Sequence, residues 1–296
     1  DTLDGGDLRF AVDRLAGSGI DDLYLGVPVP GGDTSAVKNM LTVFSGDVSL
    51  QTGRSIQFRT TGLAAIAAGE RTASTTADVE GAGQVSLQAP YISLMGPLSG
   101  RNTPSAVVGD GTLNAEAAFI DIGGQVNLSG FSTASFDSRG DLRFMVPTGD
   151  PAINLTGWLF TPGDLEFTAS RVYPMTHYAF LIDAANPSSE TTATFHQAAA
   201  SDDSVPLSAG GTLAVAADHI EQDGTLWVPS GSIVLGTDDP AGTRDALGLD
   251  GSLPITPTRS VHLAPGSVTS VSLDNAVLPY GTTEDGKDWH YENTDG

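Results

Sequence analysis

Carboxylates are the reactive groups this chain holds in quantity, with 36 Asp and Glu against 13 Lys and Arg. Two carboxyl groups about 5–10 Å apart can hydrolyse a glycosidic bond, one as acid and the other as base or nucleophile. Asp121, Asp137 and Asp141 recur at spacings that bring them toward one face of neighbouring strands. Asp164 and Glu166 share a face by simple alternation. Neither set reads as backed by Arg or Lys for an acidic sugar. Both are therefore expected to be solvated carboxylates of an acidic chain.

The other reactive residue types give weaker patterns. His177, His196, His219, His262 and His290 include no pair with the i, i+4 spacing of a helical metal site. No serine sits in a nucleophile-elbow phrase. Gly123-Gly124 and Gly210-Gly211 read as turns, since no helix or lysine follows to cradle phosphate. The acidic pairs Asp21-Asp22, Asp202-Asp203 and Asp238-Asp239 match neither the EF-hand loop nor the glycine-rich calcium repeat. Asn127-Leu128-Ser129 and Asn154-Leu155-Thr156 spell glycosylation triplets, but a leucine pointing into a core is the simpler account. Arg139-Gly140-Asp141 spells a cell-attachment tripeptide and also opens a strand phrase. Tyr280, Trp289, His290 and Tyr291 form an aromatic, acidic end, either a cap or a sugar platform. The chain is thus expected to be non-enzymatic, with no catalytic, cofactor-binding or metal residue. Ca²⁺ is the one ion its acidic pairs admit.

The elements that must position these residues are short strands. A phrase of glycine, polar residue, Leu or Val and alternating apolar positions recurs: GQVSLQAPYI at 83–92, GTLNAEAAFI at 111–120, GDLEFTASRV at 163–172 and GTLAVAADHI at 211–220. Imperfect strand–turn–strand repeats mean stacked coils rather than a compact enzyme domain. Gly224 opens a further copy close behind Gly211, so the phrase marks faces of a coil as well as whole coils. Uneven intervals between Gly83, Gly111, Gly140 and Gly163 suit a parallel β-helix, whose turns absorb insertions. About a dozen coils at about 4.8 Å each would make a shaft on the order of 50–60 Å long. Strands are expected near 84–88, 91–95, 112–122, 125–129, 141–146, 153–160 and 164–173. Leu113, Phe119, Ile120, Ile122, Val126 and Leu128 are the expected core. Residues 1–240 form the expected shaft, with loop excursions near 62–82 and 185–206, and residues 241–296 a C-terminal, cap-like end. An antiparallel sandwich array and a trimeric fibre are the competing folds.

Composition agrees with many strands and tight turns: 40% hydrophobic residues, 36 Gly and 17 Pro. The formal charge of -23 repels phosphate backbones, so nucleic acid is excluded as a partner. The acidity serves solubility, and adaptation to high salt is a second reading. With no cysteine, thiol catalysis, disulfides and Cys-ligated metals are all excluded. No apolar run is long enough for a transmembrane helix. No signal peptide is visible before Asp1, as expected of a processed or excised piece.

Two blocks carry a resemblance. The first is Leu165, Phe167, Ala169, Val172, Tyr173, Pro174 and Thr176. The second runs from Leu263 to Val271 and continues through Pro279, Tyr280, Gly281, Thr282, Asp285, Gly286 and Trp289. LWVPSGSIVLG at 226–236 adds a third phrase, and Leu15, Gly19, Leu23, Leu25 and Val48 fit more loosely. In these blocks the chain resembles the filamentous haemagglutinin family of large bacterial exoproteins exported by two-partner secretion. The resemblance spans most of the chain. It implies a right-handed parallel β-helix, an internal or distal shaft segment of a secreted cell-surface adhesin. It also implies an outer-membrane secretion partner, a host-cell or polysaccharide ligand, and roles in adhesion, aggregation, biofilm or virulence. The family's N-terminal secretion domain is not evident here. Two other functions fit a solenoid: a polysaccharide lyase or glycosidase, and a self-assembling extracellular filament or matrix protein.

Overall fold

The computed structural model describes residues 12, 15, 18–26, 41–68, 82–97, 107–146, 156–200, 202, 204–249 and 255–276, and the backbone of 282–283 and 289–290. Three parallel sheets dominate. Sheet I has eight strands, sheet II seven and sheet III eight.

The chain visits the sheets in the order I, II, III and repeats. The first coil is β1 (Asp22–Gly26), β2 (Leu41–Ser45) and β3 (Val48–Gln51). β4 (Ser55–Arg59), β5 (Gly62–Ile66) and β6 (Gln84–Gln88) repeat it. β7 (Tyr91–Met95) and β8 (Gly111–Ala117) add to sheets I and III. Full coils follow: β9 (Phe119–Gly123), β10 (Gln125–Ser129) and β11 (Phe131–Ser138), then β12 (Leu142–Met145), β13 (Thr156–Thr161) and β14 (Asp164–Ala169). β15 (Val172–Pro174), β16 (Ala179–Ala184) and β17 (Thr192–Gln197) make the next. β18 (Thr212–Ala216) and β19 (His219–Asp223) occupy sheets II and III. β20 (Thr225–Trp227), β21 (Ser232–Leu235), β22 (Ser260–Leu263) and β23 (Val268–Ser270) complete the stack. One helix, α1 (Pro240–Leu247), lies between β21 and β22. β24 (Thr282–Thr283) and β25 (Trp289–His290) pair antiparallel.

Alternation along each strand sends every second side chain inward, and register stacks those residues from coil to coil. In sheet III, Val48, Val85, Leu113, Ala134, Leu165, Ala193 and Ile220 form one ladder. Leu50, Leu87, Ala115, Phe136, Phe167 and Phe195 form the next. In sheet I, Ile56, Ile92, Ile120, Leu142 and Val172 stack likewise. All belong to one core cluster that draws on all three sheets. An all-β parallel solenoid is the result, as the repeated phrase requires.

The phrase also has a definite place. Gly83, Gly111 and Gly163 each introduce a passage from sheet III to sheet I: β6 to β7, β8 to β9 and β14 to β15. Gly211 introduces β18 to β19, a passage from II to III, while Gly140 and Gly224 introduce strands of sheet I. At Gly163 a Cβ would lie 2.4 Å from the Ser132 carbonyl oxygen of the coil before, so no other residue fits. An inward polar side chain precedes several of these glycines by two residues. The Thr161 hydroxyl accepts the Gly163 N–H at 3.1 Å. Gln222 accepts the Gly224 N–H at 3.2 Å and donates to its carbonyl at 3.1 Å. These bonds satisfy backbone groups that leave the ladder at each corner.

Five expectations are corrected. Phe119 is half-buried and faces outward, because Ile120 beside it takes the inward position. The excursion expected at 62–82 begins as strand β5, buried throughout, with Leu63 and Ala65 in the core; residues 69–81 lie outside the described residues. Within 185–206, β17 is a full member of sheet III with Ala193 and Phe195 inside. The departure there comes later: among the described residues of 198–211 there is no strand, and β15 pairs directly with β20 through Val172 and Leu226. β11, unread in the sequence, is the longest strand of sheet III. Finally, the largest sheets hold eight strands, a stack on the order of 34 Å at about 4.8 Å per strand, shorter than the dozen coils expected.

The expected boundary at residue 240 falls within the stack, since β22 and β23 extend sheets III and I beyond it. Val12 and Leu15 pack on the core near its first coil. The expected cap residues Tyr280 and Tyr291, and the side chains of Trp289 and His290, lie outside the described residues.

Candidate functional site

β9 sets Asp121 on the outer face of sheet I, Asp141 sits at the corner just before β12, and each has an arginine one coil further along. Arg143 Nε and Nη2 lie 2.9 and 3.0 Å from the two oxygens of Asp121. Register requires this pairing, since Asp121 and Arg143 are neighbours on β9 and β12. The Tyr91 hydroxyl of β7 donates to the same carboxylate at 2.7 Å. Burial, then the Asp121 charge, push the Tyr91 phenol well above its ordinary value. The Arg143 guanidinium stands 5.2 Å from the Phe119 ring centre, and Tyr91 and Phe119 rings are 6.5 Å apart. Phe119 thus serves the outer surface as an aromatic plate under a cation.

One coil on, Arg171 holds Asp141 through Nε at 2.9 Å and Nη2 at 2.6 Å. Tyr173 donates to Asp141 at 3.0 Å, and Asp202 lies 3.1 Å from Arg171. Ser204 accepts from Arg171 through both its carbonyl and its hydroxyl oxygen. Burial disfavours the Arg171 charge, but Asp141, Tyr173 and Asp202 outweigh it and hold the guanidinium above its usual value. The expectation that Asp121 and Asp141 lack arginine support is therefore overturned. Both are shielded, bidentate ion pairs rather than free acids or bases. Asp141 of the Arg139-Gly140-Asp141 tripeptide has both oxygens engaged, which suits a structural corner.

Asp137 lies elsewhere, exposed on the outer face of sheet III, directly in register with Glu116. Gln88 and Gln51 continue that row toward the first coil. With Thr52, Pro90 and Arg139 they border a groove of about 420 Å³ at the corner between sheets III and I. Two exposed carboxylates on adjacent strands, about 4.8 Å apart at the backbone, beside one arginine, could grip the hydroxyls of a sugar. Asn114 donates to Glu116 at 3.0 Å. Glu116 is the acidic groove residue the sequence reading missed; strand register, not spacing, sets it beside Asp137. Asp164 and Glu166 share the sheet III face as expected, but one accepts the Thr192 N–H and the other the Ser135 hydroxyl.

Among the described residues the histidines do not converge. His219 pairs with Glu190 at 3.0 Å and His262 with Glu221 at 2.7 Å, both at the surface, while His177 and His196 lie apart on other coils. Among the described residues no three His, Cys, Asp or Glu side chains gather as a metal site. Asp22 pairs with Arg54, and Asp239 accepts the Gly242 N–H as the N-cap of α1. Leu128 of the first glycosylation triplet points into the core; Asn154 and Asp203 lie outside the described residues. No described helix is long and apolar enough to cross a membrane.

The fold and these surfaces define a class: an acidic parallel-β solenoid with ion pairs locking one outer face and a polar groove at one corner. No family model matches the chain, and no curated protein or solved structure matches it either.

Proposed function

We propose that this chain is a shaft segment of a secreted bacterial surface adhesin of the filamentous haemagglutinin type, non-enzymatic and wound as a right-handed helix. The stack of three parallel sheets carries this reading. Each coil adds backbone hydrogen bonds and inward apolar contacts to its neighbours alone, which yields a stiff rod. Parallel strand–connection–strand links are almost always right-handed. The Asp121–Arg143 and Asp141–Arg171 clamps act between coils and resist their separation. An outer-membrane partner would export the unfolded chain, and the rod would carry a contact surface for a host cell or polysaccharide away from the bacterium.

Electron microscopy of the full-length secreted protein, with adherence assays of the producing cells, tests the proposal. Deleting residues 119–169 should shorten a visible rod and reduce adherence. A globular particle, or unchanged length and adherence after deletion, would overturn it.

The Glu116–Asp137 groove favours a second reading, a carbohydrate-active enzyme. Release of reducing ends from a uronic-acid polymer, lost in Glu116→Gln and Asp137→Asn, would support it over the shaft. The exposed Val261, Leu263, Val268 and Val271 at the last coil favour a third, end-to-end filament assembly. Concentration-dependent growth in sedimentation velocity would support that reading.

A further inference from the structure

Outward side chains on β13, β16 and β18 of sheet II are largely apolar. Trp158, Phe160, Leu181, Ala214 and Ala216 make a second core outside the solenoid, closed by Leu247 of α1 and by Ile255. In the middle of this apolar contact sits Asp183, flanked in register by Phe160 and Ala216. Its Oδ1 accepts the Thr256 N–H at 3.3 Å, and its Oδ2, fully buried, has no partner. Trp158 Nε1 beneath the same cover has none either. Gln125 Oε1 and Asn127 Oδ1 on the next strand of this face are also unpartnered. Four of the six such atoms among the described residues therefore lie on β10, β13 and β16. A contact that leaves polar atoms dry is opposed by their hydration, so its open form is within reach.

We propose that α1 and residues 255–258 form a pH-gated cover on the outer face of sheet II, held down while Asp183 is protonated and loosened as it ionises. Among the described residues, no charged side chain pairs with Asp183. β13, β18 and residues 255–258 carry no titratable side chain. α1 carries Arg244 and Asp245, Asp238 and Asp239 precede it, and Asp218 and Arg259 pair with one another. None of these moves the Asp183 carboxyl: burial pushes it up to about 7, and hydrogen bonds from Thr256 oppose that only in part. With the cover open, Asp183 meets water and titrates near the ordinary 3.8. The open form thus loses its proton first, and rising pH favours opening between about 4 and 7 with no further change above. Opening bares Trp158, Phe160 and Leu181 as an apolar surface.

Hydrogen exchange on the full chain, normalised to intrinsic exchange at each pH, tests this. Protection of the Thr256 amide and of α1 should fall about tenfold per pH unit across that window, on the order of a thousandfold in total. Phe167 in β14 should show no such slope. Asp183→Asn should abolish the slope and keep the cover as protected at pH 8 as the wild type is at pH 4. Should that variant fail to fold, Ile255→Ala replaces it, loosening the cover by a constant factor with the slope kept. A flat wild-type profile, a slope surviving in Asp183→Asn, or an equal slope at Phe167 would overturn the proposal.

Discussion

Truncating Phe167 to alanine tests the inward ladder most directly. Its ring is fully buried, stacked between Phe136 at 5.6 Å and Phe195 at 5.1 Å, and meets Phe144 edge-on at 6.5 Å. A buried Phe→Ala change costs about 3–5 kcal/mol in transfer and cavity terms. Phe167 belongs at the upper part of that range, near 4–5 kcal/mol, because backbone ladders on both sides fix the coil spacing and prevent collapse. Phe119→Ala is the control. Phe119 is half-buried outside, with one cation and one tilted ring as partners, worth about 1 kcal/mol together. Urea unfolding with the slope held in common reads both losses. Exchange should show the Phe167 damage concentrated in β11, β14 and β17, as nearest-neighbour coupling requires. A loss below about 1.5 kcal/mol for Phe167, or equal losses for both variants, would refute the assignment of inner and outer faces.

Arg171→Met should cost about 3–5 kcal/mol by stranding Asp141 without its cation, whereas Arg171→Met with Asp141→Leu should return close to wild type; denaturant midpoints of the single and double variants check this. At the other end of the stack, Arg54 and then Ser55 hold the half-buried Asp22 carboxyl down at about 2. Its contribution is therefore present above pH 3.8 and lost as pH falls toward 2, so the Leu23 and Leu25 amides of β1 should lose protection on acidification, less so in high salt. That sign is opposite to the one at Asp183, and exchange on one sample across pH 2–8 separates the two.

Alternation was legible because it is local. Leu113, Ile120, Ile122, Val126 and Leu128 all face the core as the period of two requires. β11 escaped notice because Ser, Thr and Ala fill most of FSTASFDS, leaving two phenylalanines to mark its inner face. β5 and β17 read as loops for the same reason, small residues that pack inward only because a neighbouring coil supplies the opposing surface. Phe119 shows the converse: a large apolar residue at an outward position, where the Arg143 guanidinium stands over its ring.

The sequence alone determined an acidic, all-β chain of stacked coils, which residues alternate inward, and which glycines turn the corners. Only the tertiary structure decided which carboxylates are engaged and which are open. Asp121 and Arg143 are 22 residues apart and Asp141 and Arg171 are 30 apart. Coil lengths vary with each insertion, so no fixed spacing announces such partners. Register sets them, through backbone hydrogen bonds that align one coil on the next. The same register placed Glu116 against Asp137 and carried Asp183 under α1, where burial rather than any local signal decides its charge.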